Sequence, residues 1–70
     1  SEGRLQEAFN EYIFALSIDP NFIYSHLKLA EIYNKNGNTK MADKFIKFAH
    51  RAKAGEKINF SEIQLSLINN

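Results

Sequence analysis

Apolar residues recur along the chain mostly at steps of three and four. Over 5–18, Leu5, Ala8, Phe9, Tyr12, Ala15, Leu16 and Ile18 form one stripe. Ile23, His26, Leu29, Ala30 and Tyr33 form a second over 22–35, and Ala42, Phe45, Ile46, Ala49 and Ala52 a third over 39–53. Phe60, Ile63 and Leu67 begin a fourth. That spacing puts each set on one face of a helix, so the pattern predicts four helices. Turn signals fall between the stripes. Asp19-Pro20-Asn21 closes the first, because proline cannot continue a helix; Asp19 is placed to cap the next one, with Pro20 at its first position. Asn36-Gly37-Asn38 closes the second: Gly37 accepts a left-handed helix end and Asn38 can cap the third helix. Gly55 ends the third, and Asn59 with Glu62 three residues later opens the fourth. The expected fold class is all-α, with antiparallel helices joined by short turns.

A shift of 34 residues aligns the chain with itself. Gly3 falls on Gly37, Ala8 on Ala42, Phe14 on Phe48 and Ala15 on Ala49, while Tyr12 falls on Ile46. A 34-residue period is the length of a helix-turn-helix repeat unit. The residues His26-x2-Leu29-Ala30-x2-Tyr33, Gly37, Ala42-x3-Ile46 and Ala49, with Gly3, Ala8-x3-Tyr12, Ala15 and Pro20 before them, resemble the tetratricopeptide repeat family. His26 stands for the family's aromatic, Ala30 for its glycine, and Ala54 where a closing proline would be. The resemblance covers 3–54 well and reaches Phe60, Ile63 and Leu67 weakly. It implies one domain over 1–70: 3–20 as the second helix of a unit, 21–54 as a complete unit, and 56–70 as a terminal or capping helix. The small Ala8, Ala15, Ala42 and Ala49 would let paired helices approach, with Tyr12 and Ile46 filling the space beside them. Each unit must stack to bury its apolar face. The opening Ser1-Glu2-Gly3 suggests a cut end.

For function, the resemblance implies a protein-binding scaffold. In the family, first helices line a concave groove where partner segments lie. On the second helix here, the face turned from Leu29 and Tyr33 carries Tyr24, Leu27, Glu31, Asn34 and Lys35, a mix suited to an extended peptide. The alternative is an ordinary solvated face. A terminal-carboxylate ligand is not expected, because Leu27 and Glu31 do not supply the Lys and Asn that such family members use.

Composition narrows the alternatives. The chain of 70 residues has no cysteine, so disulfides and thiolate metal sites are excluded, and His26 and His50 have no ligand cluster around them. No cofactor is expected. There is no phosphate loop, nucleophile motif or acid–base pair, so an enzyme is not expected either. Net charge is +1, but residues 1–39 carry three basic against five acidic groups and residues 40–70 carry six against three. Lys40, Lys44, Lys47 and Arg51 step along one helix face, as a solvated outer stripe or a contact for an acidic or phosphate-bearing partner. Nucleic acid is not the expected partner, since base-stacking aromatics are not interleaved there, and a weak RNA-binding helical repeat stands as an alternative beside a structural, self-associating segment. No apolar run spans a bilayer, and a cytoplasmic location is the expectation. Phe14 and Phe48 lie outside the main stripes, as shields of a joint or as a contact patch. A small core needs another staple. Ile58, Leu65 and Ile68, on the second apolar side of the last helix, together with Phe9, point to self-association of the isolated chain. In that arrangement residues 59–68 of one copy pack on 3–18 of another.

Overall fold

The four stripes become four helices, and the short turns between them fold each helix back along its predecessor. In the computed structural model, which describes residues 2–69, α1 runs over Glu2–Ile18, α2 over Ile23–Lys35, α3 over Thr39–Lys53 and α4 over Phe60–Ile68. Among the described residues there is no strand. The α2–α3 pair is the most extensive contact, and α1 packs on another side of α2. Leu16, Leu29, Met41, Phe45, Ile58 and Ile63 lie fully inside. Two ring stacks join α2 to α3: Tyr33 on Phe45 at 5.8 Å and His26 on Phe48 at 5.4 Å. Gly37 adopts the left-handed conformation that lets the chain reverse, and Asn38 Oδ1 accepts from Met41 N at 3.2 Å to cap α3.

Ala30 and Ala42 are buried between α2 and α3. Ala42→Leu should therefore overpack that crossing and cost about 1–3 kcal/mol. A melting temperature equal to that of the parent would contradict this close approach. Ala8 and Ala15, which correspond on α1 to Ala42 and Ala49, are only half-buried.

His26 is fully buried. Its Nε2 donates to the Pro20 carbonyl at 2.7 Å, and its Nδ1 has no hydrogen-bond partner among the described residues. Burial lowers its pKa from the ordinary 6.5, against the opposing pull of the Pro20 carbonyl and Asp19. The folded state thus holds the neutral ring while the unfolded chain takes up a proton. His26 contributes full stability above about pH 6.5. That contribution is lost as pH falls below this value, by at most about 1.4 kcal/mol per pH unit, until the lower folded-state pKa is reached. Urea midpoints measured between pH 7.5 and 5 check this, and His26→Phe should flatten the loss in that window.

Several details differ from the expectations. Asp19 does not cap α2. Its Oδ1 accepts from Asn21 N at 3.0 Å, and α2 begins at Ile23, so Pro20 sits in a turn rather than at a first helical position. Ile46 does not reach the interior: it is 36% exposed and lines an open cleft beside Ala49. Ile58 is not available for self-association: it is only 2% exposed. Residues 56–59 precede α4 as non-helical chain, so a helical wheel extended back to Ile58 assigns it the wrong side.

Nor is the Lys40–Arg51 stripe uniformly free. Lys40 and Lys47 are exposed, whereas Lys44 Nζ donates to the Asn69 carbonyl at 3.4 Å. Arg51 pairs with Glu56 and with Glu62, the latter at 3.0 Å, and lies over the Phe48 ring. These ties hold α4 against the side of α3 that carries Lys44, Phe48 and Arg51. Asn21, between α1 and α2, adds a bridge that the sequence did not announce. Its Nδ2 donates to the Glu56 carbonyl at 2.8 Å and its Oδ1 accepts from Ile58 N at 2.9 Å.

Candidate functional site

The exposed surface of α2 is built by its own periodicity. Leu29 and Ala30 face the core, Tyr33 packs beside them, and the opposite positions are left in solvent. Tyr24, Leu27, Glu31, Asn34 and Lys35 are all exposed there. The helical rise of 1.5 Å per residue makes the strip from Tyr24 to Lys35 roughly 16 Å long. One end is aromatic. The Tyr24 ring meets Tyr12 of α1 edge-on at 6.1 Å and Phe22 at 6.0 Å. Burial, followed by the neighbouring Tyr24, pushes the Tyr12 phenol upward. The other end is charged: Glu31 accepts from Lys28 and Lys35, each at 3.4 Å. Lys28, and then Lys35, hold the Glu31 carboxyl below its usual range, while Lys28 itself sits over the Tyr24 ring at 5.6 Å. These ion pairs are solvated and contribute little to folding. Along the strip the groups run aromatic at Tyr24, aliphatic at Leu27, acidic at Glu31 and basic at Lys35, with Lys28 at the edge between Tyr24 and Glu31.

Tyr12 and Phe22 are absent from the face that the sequence pattern assigns to binding. The pattern gives Tyr12 a packing role on α1. Only Phe22 and Tyr24 are neighbours in sequence; the fold alone brings Tyr12, from the middle of α1, to Tyr24.

Two clefts flank α2. One, of about 410 Å³, lies between α1 and α2 and is lined by Leu5, Gln6, Phe9, Ile32, Tyr33 and Asn36. Phe9, expected to serve self-association, is half-buried in its wall and meets Tyr33 edge-on at 5.6 Å. The other, of about 450 Å³, lies between α2 and α3 and is lined by Ile23, Leu27, Ile46, Ala49, His50 and Lys53. Leu27 thus belongs both to the strip and to this second cleft. Leu65 and Ile68 are exposed on α4. Phe14 and Phe48, equivalent in the repeat, part company: Phe48 is 6% exposed beneath His26 and Arg51, and Phe14 is 66% exposed on α1.

Among the described residues no three His, Cys, Asp or Glu side chains converge as a metal site. No helix among them is long and apolar enough to cross a membrane. No curated protein and no solved structure matches the chain significantly. A comparison with protein families matches the TPR repeat over residues 1–37, which takes in α1, α2 and the turn at Gly37. With four helices, no strand among the described residues and a family match across more than half its length, the chain belongs to the TPR repeat family.

Proposed function

We propose that this chain binds an extended peptide of a protein partner along the outer strip of α2. Repeats of this family mediate protein–protein interaction and form a non-enzymatic scaffold family. The observation that carries the finer reading is the unbroken exposed strip of Tyr24, Leu27, Glu31, Asn34 and Lys35, with Tyr12 and Phe22 widening its aromatic end. The aromatic end would anchor an apolar or proline side chain. Tyr packs a large area with little loss of side-chain freedom, which is why such residues dominate binding energy in interfaces. Glu31, held between Lys28 and Lys35, would then offer its carboxylate to a basic peptide group at one position along the strip.

Selection from a displayed random-peptide library, followed by titration of the selected peptide, tests this. Tyr24→Ala should weaken binding at least about 30-fold, the loss expected of a central anchor worth about 2 kcal/mol. Glu31→Lys should change which charged residue is selected. Undiminished affinity in both variants would overturn the reading. A phosphate- or RNA-binding role has less support: Arg51 is occupied by Glu56 and Glu62, and Lys44 by the end of α4.

A further inference from the structure

The internal repeat supplies a comparison between two pairs of neighbouring helices. α1 receives α2 on the side carrying Phe9, Tyr12 and Leu16. The residues 34 further on are Asp43, Ile46 and His50 of α3, and all three are exposed. The next helix, α4, is held instead on the side carrying Lys44 and Arg51. The cleft between α2 and α3 is left open, with Leu27 and Ile46 as its apolar wall and the His50 ring and Lys53 ammonium on its rim.

α1 carries a second uncovered face. Glu7, Glu11, Phe14 and Ile18 follow one another at steps of four, three and four, so they share one side of the helix. All four are exposed, Ile18 to 72%. This stripe is acidic at its first half and apolar at its second. The cleft has the matching order on α3, apolar at Ile46, polar at His50 and cationic at Lys53. Seven residues separate Glu7 from Phe14, and seven separate Ile46 from Lys53, about 10 Å in each helix. An antiparallel approach therefore sets Phe14 and Ile18 against Ile46 and Leu27 while Glu7 and Glu11 meet Lys53 and His50.

We propose that two copies of this chain join head to tail, with the Glu7–Ile18 stripe of one seated in the α2–α3 cleft of the next. This replaces the pairing of the last helix with 3–18 that the sequence suggested. The contact is not self-complementary, so each bound copy still presents a free stripe and a free cleft, and association continues as a ring or a chain. The proposal does not depend on peptide binding along α2.

Light scattering over a low-micromolar to low-millimolar series tests it. The average mass should rise above the monomer value with concentration and fall back in high salt, as expected when exposed opposite charges contribute. Phe14→Asp alters only the stripe; His50→Glu with Lys53→Glu alters only the cleft rim. Each variant alone should stay monomeric with unchanged helicity by circular dichroism, since the altered positions are exposed. Mixed in equal amounts, they should form a dimer and stop there, because one retains an intact cleft and the other an intact stripe. A parent chain that stays monomeric throughout, a variant that still associates alone, or a mixture without dimer would each overturn the proposal.

Discussion

Phe45→Ala is expected to cost about 3–5 kcal/mol, the range for truncating a buried phenylalanine. The ring has no exposure and lies among Tyr33, His26 and Phe48, at centroid distances of 5.8, 5.9 and 5.6 Å. It is the point at which α2 and α3 share their aromatic packing. Stability runs at roughly 0.05–0.15 kcal/mol per residue, so a chain this short cannot absorb such a loss comfortably. Chemical denaturation should show the variant largely unfolded at low denaturant, whereas Phe14→Ala, on the exposed equivalent of Phe48, should shift the midpoint little. A small effect at Phe45 would mean that the α2–α3 interface is not the centre of the core.

The second large effect is expected at Asn21. One side chain satisfies the Glu56 carbonyl and the Ile58 amide, so it ties the turn before α2 to the chain that leads into α4. Asn21→Ala removes two hydrogen bonds and leaves the amide of a buried residue without its acceptor. Water can replace the exposed bond to the Glu56 carbonyl, whereas an unsatisfied buried amide costs about 1–3 kcal/mol, so the expected loss is about 1–3 kcal/mol. Hydrogen exchange should localise it, with the Ile58 amide and α4 losing protection before α2 and α3. Uniform loss along the chain would show that α4 is not hinged on this residue.

These two sites also mark what the sequence could and could not convey. Phe45 is legible because it sits in a three- and four-residue apolar rhythm, and that rhythm survives in any helix. The turn at Gly37 and the cap at Asn38 are legible for a similar reason, being set by local backbone chemistry. Asn21 is not legible as a bridge, since its partners lie 35 and 37 residues away. The placement of α4 has the same character. The repeat register alone would put it beside Ile46 and His50, but Arg51–Glu62 and the Asn21 bridge accompany a different side of α3. Ile58 went astray because non-helical residues do not follow a helical wheel.

The strip on α2 shows the same division. Tyr24, Leu27, Glu31, Asn34 and Lys35 share one helix, so their common face follows from their spacing. Their neighbours do not. Tyr12 arrives from α1 through tertiary packing, and Leu27 gains a second environment only because α4 leaves the adjacent cleft open. The acidic stripe on α1 was present in the spacing of Glu7, Glu11, Phe14 and Ile18, but nothing local showed that it would remain uncovered.

The most direct measurement of the central claim is amide chemical-shift mapping of the chain during titration with a library-selected peptide. The shifted and broadened signals should trace Tyr24, Leu27, Glu31, Asn34 and Lys35, with Tyr12 and Phe22 at one end. Shifts confined to Lys40 and Lys47, or to Phe14 and Ile18, with the α2 strip unmoved, would contradict it.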